Sequence, residues 1–108
     1  MSDRELLELA AKAAGMRAYW SEEDNSMLDM GYKEWNPLES DCDALRLAVK
    51  LDCHLQMDFD DDDIECVYCW TTTHSDGSPE RVSETQDRYA ATRRAIVRAA
   101  AAIGEQMK

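Results

Sequence analysis

Residues 53–59 alternate without a break, and that pattern limits the possible folds more than any other stretch. Cys53, Leu55, Met57 and Phe59 interleave with His54, Gln56 and Asp58, the period of two that sends successive side chains to opposite faces of a strand. Four adjacent carboxylates follow, Asp60, Asp61, Asp62 and Asp63, and their mutual repulsion favours an exposed turn. Residues 64–73 read as the returning strand, with Ile64, Cys66, Tyr68 and Trp70 facing inward and a threonine run suited to extended backbone. The expectation is an acid-tipped hairpin. Cys53, Leu55, Met57 and Phe59 should be buried, with His54, Gln56 and Asp58 wet. Val67 and Cys69 imply that part of the second face is covered as well.

Such a hairpin needs helices to bury its apolar face, and three are readable. Residues 2–14 open with the capping box Ser2-x-x-Glu5 and carry Leu6, Leu9, Ala10 and Ala13 at helical spacing, with Gly15 placed as a left-handed cap. Residues 35–51 join Trp35, a turn fixed by Pro37, a cap at Ser40 or Asp41 and the stripe Ala44, Leu47, Ala48 and Leu51. Leu45 and Val49 flank this stripe, so the helix should pack on two sides and form the centre of the core. Residues 87–103 read as the last helix, capped by Asp87 and ended by Gly104, with Tyr89, Thr92, Ile96 and Ile103 in its stripe. Between the first two helices, residues 16–21 and 27–32 form an expected hairpin around the polar turn 22–26. Residues 74–85, with Gly77, Pro79 and several serines, read as a mobile loop. The expected fold class is α+β, a single domain in the order α-β-β-α-β-β-α. A four-stranded, mainly antiparallel sheet packs with helices as a layered sandwich.

At 108 residues, 44% of them hydrophobic, the chain can bury one core. No apolar run approaches the roughly 18 residues needed to span a bilayer, and no membrane association is expected. Residues 1–5 lack the basic and apolar regions of a signal peptide. A cytoplasmic protein is expected, with Cys42, Cys53, Cys66 and Cys69 reduced. The formal net charge of −11 is unevenly distributed: residues 39–87 hold fourteen acidic and three basic side chains, residues 88–108 one and five. An acidic whole argues against direct nucleic-acid binding. It also aids solubility.

Several constellations invite chemistry. Cys66-x-x-Cys69 with His74 would be the donor set of a metal site, and His54 and Cys53 stand as further donors. A tetrahedral zinc site needs its thiolates to converge, whereas a separation of three on a strand sends them to opposite faces. A calcium loop started at Asp58 would place Asp63 where glycine is required and Cys69 where a bidentate Glu is required. No nucleophile elbow, phosphate loop or dinucleotide fingerprint occurs. The chain reads as non-enzymatic rather than as an enzyme, with no cofactor. The charge pattern points elsewhere. Asp58, Asp60, Asp61, Asp62, Asp63 and Glu65 form an acidic ridge, and Arg94 and Arg98 share a face of the last helix. These are the candidate partner-binding residues. Their opposite charges could be satisfied within one chain, or between two copies as a homodimer.

Three segments carry a resemblance: Trp35-Asn36-Pro37-Leu38 followed by Asp43-Ala44-Leu45-Arg46-Leu47-Ala48-Val49, Arg94-Ala95-Ile96-Val97-Arg98-Ala99-Ala100-Ala101, and Glu5-Leu6-Leu7-Glu8-Leu9-Ala10. They resemble small uncharacterised proteins of tailed phages and prophages, similar to the phage ABA-sandwich domain. The resemblance implies a layered α/β fold and a phage accessory protein in the bacterial host cytoplasm. It implies no catalytic residues. The acidic ridge is not a feature of that group. With it, the expected function is non-catalytic binding to a host or phage protein, most sharply an anti-defence inhibitor that mimics nucleic acid. Two alternatives are a metal-binding protein or enzyme using Cys66, Cys69 and a histidine, and a structural component of the virion or of phage replication.

Overall fold

The computed structural model describes residues 2–71, 80–82 and 87–107. The elements run α1 (Asp3–Ala13), β1 (Ala18–Ser21), β2 (Ser26–Asp29), α2 (Asp41–Lys50), β3 (His54–Phe59), β4 (Glu65–Trp70), β5 (Glu80–Arg81) and α3 (Arg88–Gln106). The class is α+β, but the expected four-stranded sheet does not form. Instead β1 and β2 make a two-stranded antiparallel sheet, and β3, β4 and β5 make a separate three-stranded one in that order. The reason lies just past β2. The chain turns back at Tyr32 (φ 63°), Trp35 N donates to Met27 O at 2.9 Å, and Leu28 bridges Glu34. The outer edge of β2 is thus occupied by the chain's own next residues. Arg4 holds this hairpin to α1, reaching Glu22 at 2.8 Å and lying over the Trp20 ring.

Part of the expected loop 74–85 is also corrected. Glu80 and Arg81 pair with Val67 and Cys66 as the far strand of the sheet, and Glu80 is buried. Residues 74–79, His74 among them, and 83–85 lie outside the described residues.

The helix starts follow from local chemistry. The Ser2 hydroxyl accepts from Glu5 N, the Ser40 hydroxyl from Asp43 N, and the Asp87 carboxylate from Tyr89 N. Each satisfies an amide that the first helical turn leaves without a partner. Gly15, at φ 70°, ends α1 in the left-handed conformation.

The centre of the core is α3, not α2. Ala91, Ala95, Ile96, Val97, Ala99, Ala100, Ala101 and Gly104 are all buried along it, and it packs against α1, α2, β4 and β5. Gly104 does not end the helix, which continues to Gln106. Its role is contact: a Cβ built there would lie 2.2 Å from Leu9 O. Asp3 meets Arg94, Leu9 meets Gly104, and Lys12 Nζ donates to Met107 O at 2.7 Å. Helices α1 and α3 therefore run parallel, and small residues let their backbones approach. In α2 the stripe Ala44, Leu47 and Ala48 is buried, but Leu45 and Val49 are 64% and 68% exposed. The helix is covered on one side only. Arg93 ties its entry to α3, donating to Leu38 O at 2.9 Å and pairing with Asp41 at 2.6 Å.

In β4 the expected faces are exchanged. Val67 and Cys69 are the β4 residues in the core, whereas Tyr68 and Trp70 lie on the other face, where Trp70 stacks on His54 at 5.6 Å. The turn decides this. Asp60 N donates to Ile64 O, Asp63 N donates to Asp60 O, and Asp63 adopts φ 59°. This is a three-residue hairpin connection with a left-handed third residue. It sets Leu55 opposite Cys69, Met57 opposite Val67 and Phe59 opposite Glu65. Residues opposed in an antiparallel pair share a face, so Leu55, Met57 and Phe59 lie on the helix side of the sheet. They are nevertheless exposed, as is every residue of β3. The helical layer lies against β4 and β5 and stops short of the edge strand.

Candidate functional site

The acidic hairpin tip is built around one carboxylate. Asp60 Oδ1 accepts from Asp62 N at 2.9 Å and from Ile64 N at 3.0 Å. Its other oxygen lies 3.0 Å from Arg81 Nη2 and accepts from Cys66 Sγ at 3.7 Å. The Ile64 amide, with that of Asp62 and the Arg81 guanidinium, holds the Asp60 carboxyl below its ordinary value of 3.8. Burial, followed by the Asp60 charge, pushes the Cys66 thiol up, which leaves it protonated and weakly nucleophilic. Burial and the surrounding charges, those of Asp60, Asp58 and Asp61 among them, push the Tyr68 phenol up as well.

The candidate binding residues divide into two groups. Asp60 and Asp62 face Arg81 at 3.0 and 3.5 Å, and Glu65 pairs with Arg88 at 2.6 Å. Asp58 accepts from Phe59 N and from Gln56 Nε2. Among the described residues Asp58, Asp61 and Asp63 enter no ion pair, and all three are exposed. The basic helix is already engaged within the chain: Arg94 pairs with Asp3 at 3.1 Å, and Arg98 with the buried Glu80 at 2.8 Å. The charges of Arg94 and Arg98, like those of Arg81, Arg88 and Arg93, are thus met within the chain.

Cys66 and Cys69 stand three apart on a regular strand, with their sulfurs on opposite faces. Among the described residues no group of three His, Cys, Asp or Glu side chains is arranged to hold a metal ion. The sulfur neighbour of Cys69 is Cys53, and that contact, with burial, pushes the Cys69 thiol up. Sequence reading missed this pair, because the residue count of the hairpin turn sets the cross-strand diagonal that creates it.

One further concavity, of about 350 Å³, lies between the α1 C-terminus and α2, with Gly15, Trp35, Asp43, Arg46 and Lys50 in its lining. Its mixed charges form no catalytic constellation. Among the described residues no helix is long and apolar enough to cross a membrane. Comparison of the chain with protein families, curated proteins and solved structures finds no match.

Proposed function

We propose that this chain is a non-catalytic protein-binding module whose acidic hairpin tip docks on a basic surface of a host or phage protein. The observation that supports the reading most directly is the preorganised turn. Asp60 is committed to holding the loop closed, and so Asp58, Asp61 and Asp63 are presented outward on a fixed backbone. Charges fixed in this way steer association and suppress wrong partners. On this reading, which takes up the resemblance to small phage and prophage proteins, the module works in a bacterial cytoplasm. Competition with nucleic acid for a basic groove, as an anti-defence inhibitor, is its sharpest form. The alternative built on Cys66, Cys69 and His74 is weakened by the opposed directions of the two cysteines.

The test is retention of partner proteins by immobilised wild type and by an Asp61→Lys/Asp63→Asn variant, from bacterial extract with and without phage infection. Binding should weaken as the Debye length falls from about 10 Å to about 3 Å between 0.1 and 1 M salt, and the variant should lose the same proteins. A variant that retains the wild-type partners overturns the acidic-tip mechanism.

A further inference from the structure

The least protected feature of the molecule is the outer edge of β3. Asp60 N bonds to Ile64 O, and antiparallel pairing alternates, so the even-numbered residues of β3 turn their amides and carbonyls toward β4. Those of Leu55, Met57 and Phe59 point away from it. Among the described residues no strand pairs with this edge. The usual edge defences are absent: β3 has no proline and no lysine, and its single acidic side chain, Asp58, lies on the outer face. On the helix side Leu55, Met57 and Phe59 are 45%, 53% and 64% exposed.

We infer that the occupant of this edge is a second copy of the chain, paired antiparallel through β3 about a two-fold axis at Gln56. The strand is complementary to itself in that register. Leu55 stands opposite the partner's Met57, and Met57 opposite the partner's Leu55, so the outward amides form about six backbone hydrogen bonds. On the outer face His54 meets the partner's Asp58, and symmetry repeats the pair. The stacking of His54 on Trp70 already holds its ring on that face.

The bare apolar row is explained by the same geometry. An axis perpendicular to the sheet keeps both helical layers on one side. The two β4 strands then stand three inter-strand spacings apart, about 14 Å, while a helix with its side chains is about 10 Å across. The two rows of Leu55, Met57 and Phe59 fill the space between the helical layers. The assembly also closes: among the described residues the opposite edge of each sheet, β5, is two residues long, too short a template for a further copy. This interface takes up Asp58 but leaves Asp61 and Asp63 open, so it stands or falls separately from the partner-binding reading, which is tested at those two residues.

The mass in solution should shift from monomer to dimer across about 2 to 200 μM, read by sedimentation equilibrium. Met57→Lys, at an exposed position, should keep the far-UV spectrum and thermal transition of the wild type while weakening dimerisation at least tenfold. His54→Glu should weaken it by setting two carboxylates face to face, and His54→Glu with Asp58→Lys should restore it. In a Cys42→Ser background, Gln56→Cys should give a covalent dimer with oxidised glutathione. A mass that stays monomeric throughout, or that exceeds a dimer, overturns the inference. So does a dimer that is indifferent to Met57→Lys or that fails to cross-link at position 56.

Discussion

Replacing Gly104 by alanine sets two effects against each other, and the contact with Leu9 decides the sign. Alanine is the better helix former by about 1 kcal/mol, and Gly104 lies inside α3 without a positive φ. Propensity alone therefore predicts a more stable protein. The added Cβ, however, would stand 2.2 Å from Leu9 O, 2.9 Å from Leu9 C and 3.1 Å from Leu9 Cα. All three are backbone atoms, so no side-chain rotation relieves them. Restoring ordinary contact requires α1 and α3 to part by about 1 Å, a gap that forfeits a quarter to a half of the dispersion energy of the facing atoms. Overpacking costs typically about 1–3 kcal/mol, and a clash with rigid backbone belongs at the upper end. The net expectation for Gly104→Ala is a loss of about 2 kcal/mol, roughly 8–15 °C in Tm for a domain of this size. Urea denaturation followed by helical circular dichroism measures it. Ala102→Gly, at an exposed position of the same helix, serves as the propensity control and should cost about 1 kcal/mol. A Gly104→Ala protein as stable as the wild type, or more so, refutes the close parallel packing of α1 and α3.

Ser40→Ala removes the acceptor of Asp43 N and should cost about 1 kcal/mol in the same assay. Arg98→Met removes the cation facing the buried Glu80 carboxylate. With Arg98 itself about half exposed, the expected loss is about 1–3 kcal/mol, below the cost of breaking a wholly buried pair; a neutral result would show that other groups already satisfy Glu80. Asp60 has its folded pKa below the ordinary 3.8, so its ionised form favours the native state. That contribution is complete above about pH 3.8 and is lost as the pH falls through the folded value. Asp60→Asn should therefore be less stable at neutral pH and show a shallower acid decline in urea midpoint. A decline as steep as that of the wild type would exclude Asp60 as a source.

What could be read from the sequence was whatever a few neighbouring residues decide. The caps at Ser2, Ser40 and Asp87 depend on hydroxyl or carboxylate oxygens within three residues of the amides they satisfy; Ser2 and Asp87 lie where the sequence places them, and of Ser40 and Asp41 the serine is the cap. Alternation across residues 53–59 correctly marks a strand. It does not say whether anything covers the apolar row, because that depends on how far α3 extends across the sheet. Gly104 follows an alanine-rich run, which reads equally as a stop or as a contact surface, and only the facing Leu9 backbone distinguishes them. At the tip, the carboxylates of residues 58–65 were evident as a cluster. Which of them face outward depends on Arg81 and Arg88, 21 and 23 residues from Asp60 and Glu65. The separation of β1 and β2 from the main sheet depends in turn on Trp35 claiming the edge of β2.

The parallel pairing of α1 with α3 also has a kinetic consequence. The contacts that join them, Asp3 with Arg94 and Lys12 with Met107, span 91 and 95 residues. A chain synthesised from its N-terminus at about 5–20 residues per second would hold α1 for roughly 5–20 s before its neighbour exists. During that interval Leu6, Leu7, Ala10 and Ala11, all buried in the finished molecule, lack the surface of α3 and have only the β1–β2 hairpin region beside them. Docking of the first helix is thus a late event in folding, paced by the emergence of the last, and interactions so distant in sequence slow the search for the native state. Until then the part of the α1 stripe that α3 covers is open to chaperone capture.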